Sequence, residues 1–327
     1  MATWLVTHPA CLLHDTGPGH PEQRARLEAI LSALEAGEFD ALVRREAPRA
    51  SVDQLCLVHD RAYVDGVLGA LPVHGYQVLD VDTETKPMAA ISSHEVEAVV
   101  PDTVVSHDSG EAALRAAGAA CLGVDAVMDG AAKRVFCAVR PPGHHAERDR
   151  ALGFCIFNNV AVAAMHAVTA RGLKRVAIVD FDVHHGNGTQ SMIAGRPEFL
   201  YVSIHQRPLF PGSGGRRENR PGNICNIPLA PGSGSDQFRA MFSRDGLMAL
   251  FDFDPELILI SAGFDGHRKD PLADLELGDN DYAWLTGELV SAANYCSAGR
   301  IVSALEGGYN LTTLARCVAD HVRVLME

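Results

Sequence analysis

Five short apolar runs rich in β-formers punctuate the chain, and helix-patterned stretches lie between or after them. The runs are RVFCAVR (134–140), RVAIVDFDV (175–183), FLYVSIH (199–205), LILISAG (257–263) and RIVSALEGG (300–308). Helical spacing appears over 110–130, 158–172, 235–251, 279–296 and 311–325. Strands that are apolar nearly throughout are buried on both faces, and helical connections between them make them parallel. The alternation therefore predicts an α/β fold, with a mainly parallel sheet between two layers of helices. No low-complexity linker, repeat or charge block divides the 327 residues, so 1–327 reads as a single domain. The Gly/Pro-rich stretch 207–220 reads as an ordered surface loop rather than a linker.

Charge narrows the function. The net charge is −13, which does not favour a broad phosphate-binding surface and argues against direct nucleic-acid binding. A cationic substrate is electrostatically welcome. The eight cysteines form no CxxC pair, and several sit inside apolar runs, as reduced thiols of a cytoplasmic protein do. The N-terminal MATWLVTHPACLLHD has neither a basic start nor a long apolar core, so it is not read as a signal peptide. No window is long and apolar enough for a membrane helix.

Ionisable residues collect where the strands end. His144 and His145 follow the first run. Asp180, Asp182, His184 and His185 close the second, and His205 the third. Asp265 and Asp270 follow the fourth, and Tyr309 the fifth. Ligand sites of open parallel sheets lie beyond the carboxyl ends of strands. Five successive strand ends carrying such residues predict one site there. In VDFDVHHGNGTQ, residues 180, 182 and 184 alternate, so an extended backbone puts them on one face. Asp182 and His184 can thus reach one metal ion, with Asp270 as a third ligand and Asp180 behind them. In AVRPPGHHAE, a glycine-preceded loop can turn two adjacent imidazoles toward one point, an arrangement suited to proton transfer.

The stretches RPPGHHA (140–146), GFCIFNN (153–159), VDFDVHHGNGTQ (179–190), VSIHQ (202–206), SAGFDGHRKDPL (261–272) and EGGYN (306–310) together resemble the zinc-dependent histone deacetylases, the family that includes acetylpolyamine amidohydrolases. Weaker matches are GHPEQRARL (19–27) and VHDRAYVDGV (58–67). The motifs keep family order over nearly the whole chain, and are most similar to class II enzymes and their bacterial relatives.

The resemblance implies a deacetylase-like catalytic domain, with zinc held by Asp182, His184 and Asp270. It implies His145 as general base and acid, His144 as its partner oriented by Asp180, and Tyr309 as donor to the oxyanion. A structural potassium would be held by Asp180, Asp182, His184, Ser203 and Ile204. Many family members pair the second histidine with an aspartate where this chain has Asn187. An amide lacks the carboxylate's charge and raises the His145 pKa less. The acyl-lysine tunnel maps to Gly153, Phe154, Phe210 and Leu272, with the two phenyl rings gripping the aliphatic stem. Some polyamine-selective relatives carry a glutamate just after the Asp-Pro pair. Leu272 stands there instead, which points to N-acyl-lysine in a peptide or protein rather than an acylated small amine.

The expected function is therefore a zinc-dependent amidohydrolase that deacylates lysine. An acetylpolyamine or other small-amide deacetylase is the alternative on the same fold. A non-catalytic acyl-lysine binder is the alternative of another class, and an oligomer is compatible with either. Asp265 is read as support for the Asp270 turn. His8, His14 and His20 are read as rim-loop residues, and Arg26 as lining an internal cavity.

Overall fold

A computed structural model describes residues 2–79, 89–91, 96–98 and 103–327. Its main sheet has eight strands, all parallel. They are β1 (Thr3–Thr7), β2 (Val43–Glu46), β3 (Arg134–Cys137), β4 (Val176–Asp180), β5 (Phe199–Gln206), β6 (Ile224–Leu229), β7 (Leu257–Ala262) and β8 (Ile301–Leu305). Their order across the sheet is β6-β5-β4-β7-β8-β3-β1-β2. Two small antiparallel pairs lie apart from it, Gln77–Val78 with Val104–Val105 and Ala89–Ile91 with Val96–Ala98.

The five predicted strands are present; four end short of the predicted run, while β5 continues through His205 to Gln206. β4 stops at Asp180 and β8 at Leu305, so Asp182, His184 and Tyr309 sit on loops beyond the ladder. The edge strands β2 and β6, and β1 next to β2, carry no long apolar run and are not evident in the sequence. β2, VRRE, is mostly exposed, as an edge strand can be.

The helices α1 (Arg24–Ala33), α2 (Ser109–Met128), α3 (Asn159–Thr169), α4 (Asp279–Cys296) and α5 (Leu311–Met326) cover the sheet. The pattern at 235–251 is broken in the structure. Helix Ser235–Met241 passes through a π-turn, Phe242–Leu247, into helix Met248–Phe253. Successive strand residues point to opposite faces. Gly123 of α2 lies against Val135 and Val302, whereas His321 of α5 meets Phe136 and Ser303. α2 and α5 therefore sit on opposite sides, which makes the three layers. Strands β4, β7 and β8 are buried at every residue.

Register levels the functional ends. Asp180 pairs with Ser203 on one side and Ser261 on the other, and Ala262 pairs with Leu305. Below that edge, Asn223 ties the chain before β6 to β5. Its Nδ2 donates to the carbonyls of Ile193, Arg196 and Phe199.

Candidate active site

Beyond β3 the chain turns at Gly143, and the two histidine rings come to rest with centroids 3.9 Å apart. Each is held by its own partner. His144 Nδ1 lies 3.0 Å from Asp180 Oδ2, and His145 Nδ1 lies 2.8 Å from Asn187 Oδ1. Asn187 Nδ2 donates to Glu147 at 2.6 Å, which fixes its oxygen as the acceptor for His145 Nδ1–H. Nε2 of His145 is then the nitrogen that can accept a proton.

Electrostatics separates the pair. Burial depresses the His144 pKa, but the carboxylates of Asp182 and Asp180 outweigh it and lift it to about 10. Burial, then the charge of His144 and His184, drives His145 well below the ordinary histidine range. The two rings are thus pushed in opposite directions, the division an acid–base pair needs.

The loop after β4 brings the carboxylates in. Asp182 Oδ1 accepts from the His184 amide at 2.9 Å and faces His184 Nδ1 at 3.0 Å. Asp265 Oδ2 faces the same nitrogen at 3.1 Å, and its Oδ1 accepts from the Val183 amide at 2.9 Å. Among the described residues, Asp182, His184 and Asp265 form a group whose ligand atoms all lie within 4.8 Å of one another. Burial raises the Asp182 pKa, but His144 and His184 carry it far below the usual carboxylate range. Burial and then Asp182 push Asp265 up to about 7.

Asp270 does not belong to that tight group. Its Oδ2 accepts from the amides of Tyr309, at 2.6 Å, and Asn310, and its Oδ1 from Leu272. The sequence reads Asp265 as support for the Asp270 turn. The structure puts it against His184 and the Val183 amide instead, because the turn after β7 packs on the β4 loop.

Tyr309 follows the turn after β8. Arg26 stacks on its ring at 4.8 Å, and burial raises its hydroxyl pKa well above the ordinary value, so it remains a donor. Phe154 meets Tyr309 and His20 edge-on, and Phe210 meets His145 and His184 edge-on. The two phenyl rings thus border the dyad and the tyrosine. Between them stands Gly153, at φ +55°, where an added Cβ would lie 2.5 Å from the His145 ring. Phe154 itself holds φ +68°, a strained setting for a bulky residue that clusters at functional sites.

Other histidines turn away. His185 binds Ser213 and Gln190, and His205 binds Ser203 and the Gly214 carbonyl. His14 is buried against Ser109, and His8 caps the Ala10 amide. Arg26 spends its donors on Glu22, Gly308 O and Glu306 O.

Two buried residues escaped the sequence reading. Tyr201 donates its hydroxyl to Asp180 Oδ2 at 2.8 Å, on the oxygen that meets His144. Its signal was alternation, since it shares a strand face with Ser203. Glu306 accepts from the Gly143 and His144 amides. Burial pushes its carboxyl up to about 7. It stands in the EGGYN motif, in which only the tyrosine had an evident chemical role.

Comparison with known proteins gives one answer. The profile of the histone deacetylase domain matches residues 20–325. The chain is 34% identical to the "Histone deacetylase-like amidohydrolase" of Pseudomonas aeruginosa, over 94% of this chain and 81% of that one. It is 36% identical to the "Type-2 histone deacetylase 2" of Dictyostelium discoideum, covering 99% of this chain but only 21% of that longer protein. The crystal structure of the HDA15 HD domain superposes with a TM-score of 0.87 at 31% identity, over 99% of this chain and 88% of that one. Motifs, fold and site geometry agree with these matches, and the chain belongs to the histone deacetylase family.

Proposed function

We propose that this protein is a zinc-dependent deacetylase that removes acetyl or other acyl groups from N-acyl-lysine. Membership of the family supports a hydrolase of the deacetylase type. The observation that carries the finer reading is the pair His144 and His145, differently partnered and pushed in opposite directions, facing a buried cluster of carboxylates and one imidazole.

That cluster fits a divalent cation. Carboxylates packed round His184 repel one another without one, and oxygen with imidazole nitrogen is a donor set zinc accepts. Asp182, His184 and Asp265 would hold the ion, in place of the Asp270 expected from the sequence, whose oxygens are taken by the amides of Leu272, Tyr309 and Asn310. When bound, zinc polarises the acyl carbonyl and acidifies a water.

The chain's own residues supply the rest. His145 Nε2 takes the proton from water, its Nδ1–H anchored on Asn187, and returns it to the leaving amine. His144, held by Asp180, keeps positive charge beside the developing oxyanion, to which the Tyr309 hydroxyl donates. Gly153, Phe154, Phe210 and Leu272 form the apolar passage for the lysine stem. A structural potassium on Asp180, Asp182, His184, Ser203 and Ile204 completes the proposal, supported by the register pairing of Asp180 with Ser203. Residues 1–327 act as one catalytic domain in this reading. The eight cysteines are all free, in keeping with a reducing compartment such as the cytoplasm, and no described helix is long and apolar enough to cross a membrane.

The test is amine release from an acetyl-lysine peptide and from acetylspermidine, in parallel, by zinc-loaded protein. The expected outcome is faster turnover of the peptide. Preference for acetylspermidine would move the chain to polyamines, and release from neither would sink the proposal.

A further inference from the structure

Glu306 is a buried carboxylate that the mechanism above does not use. It is fully buried, and among the described residues no lysine or arginine pairs with its side chain. Neutral donors hold it instead. Oε2 accepts from the Gly143 amide at 2.7 Å and the His144 amide at 3.2 Å, and Oε1 accepts from Ser261 Oγ at 3.1 Å. Burying a carboxyl is costly even with the His144 ring within 4.8 Å of one of its oxygens, so a side chain kept this way answers to some other demand.

Its neighbours in sequence suggest the demand. The Glu306 amide donates to Ala262 O, at the end of β7. Gly307 N donates to Asp182 Oδ2 at 2.8 Å, and Tyr309 N to Asp270 Oδ2 at 2.6 Å. Arg26 holds the Glu306 and Gly308 carbonyls at 2.5 and 2.6 Å. Four consecutive residues thus touch Asp182 of the metal cluster and Asp270 beside it, carry the tyrosine, and reach the dyad. The dyad connection runs through the Glu306 side chain.

We propose that Glu306 is a positioning residue, whose carboxylate fixes the backbone of the histidine dyad in register with Tyr309. This rests on the deacetylase reading for its catalytic consequence, and on geometry alone for the positioning itself. The dyad acts on the water from one side and Tyr309 on the oxyanion from another. Their spacing has to be set by something that touches both loops, and Glu306 does so in one residue. What matters in this role is the reach of the side chain and its acceptor oxygen, more than its charge.

The experiment compares Glu306→Gln with Glu306→Asp in the zinc-loaded full chain. Gln keeps the reach and one acceptor oxygen and removes the charge. Asp keeps the charge and draws the oxygens back by one methylene. Steady-state kinetics on the acetyl-lysine peptide are read beside amide hydrogen exchange of the 141–147 segment. Glu306→Asp is expected to lower kcat roughly 10- to 100-fold, with KM within about twofold and zinc content unchanged, because small misplacement of catalytic groups costs rate more than binding. Its Gly143 and His144 amides should exchange at least about tenfold faster, since they lose their partner. Glu306→Gln should stay near wild type in exchange and within about fivefold in kcat. Wild-type behaviour of Glu306→Asp in both readouts would overturn the proposal. So would the reverse order, with Gln the weaker variant, which would assign Glu306 to charge. Should the wild type hydrolyse no acyl amine, the deacetylase reading fails by itself, and the exchange comparison still decides whether Glu306 holds the dyad.

Discussion

Asp265 and Asp270 stand on one loop after β7 and invite opposite assignments. Distance favours Asp265, which faces His184 Nδ1, while the motif reading favours Asp270. The two readings separate on metal content. Asp265→Ala is expected to lose zinc on desalting. Asp270→Asn should keep it with affinity weakened roughly 10- to 100-fold, the usual effect of removing a carboxylate beside the ligands. Retention by Asp265→Ala together with loss in Asp270→Asn would exchange their roles. The same contrast shows what was legible in the sequence at this scale. Chemistry-bearing residue types at successive strand ends named the dyad, Asp180, Asp182, His184 and Tyr309. The position of Asp265 was not legible, because it depends on how one loop folds back over another. Tyr201 and Glu306 were missed because both act through hydrogen bonds across strands, which no local spacing encodes.

At the scale of elements, the sequence showed the central strands and hid the edges. β3, β4, β5, β7 and β8 are apolar runs buried on both faces. β2 is polar because it closes the sheet beside solvent. Helix α2 shows how tightly the layers pack. At Gly118 an added Cβ would lie 2.0 Å from Pro48 O and 2.7 Å from Ala50 N, and the Ala50 amide is itself bound to Leu114 O of α2. Helix propensity alone would make Gly118→Ala stabilising by about 1 kcal/mol. Overpacking against backbone that is pinned to the helix should outweigh it, giving a net loss of about 1–2 kcal/mol in denaturant unfolding. Gly287 in α4 is the control, since nothing lies within 4 Å of its added Cβ. There Ala should gain about 0.5–1 kcal/mol. Equal signs for the two substitutions would mean that the packing of α2 on the 48–50 loop is looser than described.

For the whole molecule, buried neutral histidines tie stability to pH. His59 accepts the Asn158 amide on Nε2 at 2.9 Å, so Nδ1 carries its proton and donates to Glu147 O at 2.9 Å. Burial pushes its pKa down to about 4. The unfolded chain takes up a proton near 6.5, and the folded chain refuses it until about 4. Stability is therefore full above about 6.5 and falls as pH drops toward 4, by about 3.5 kcal/mol at most for this 2.5-unit gap at ~1.4 kcal/mol per unit. Metal-free wild type should lose about 2 kcal/mol more than His59→Gln between about pH 7 and about pH 4.5 in denaturant unfolding. Parallel losses would place the proton elsewhere. The strand order carries a consequence for synthesis. β8 is the last strand of the sheet to be made, yet it lies inside the sheet, between β7 and β3. A chain growing on the ribosome therefore holds an open seam down the middle of its sheet, lined by apolar strand edges, until residues 301–305 arrive to fill it. The loop that bears Tyr309 comes out just behind. The step that closes the seam also brings Tyr309 to the strand ends, so the last stretch of chain made finishes the core and the candidate site together.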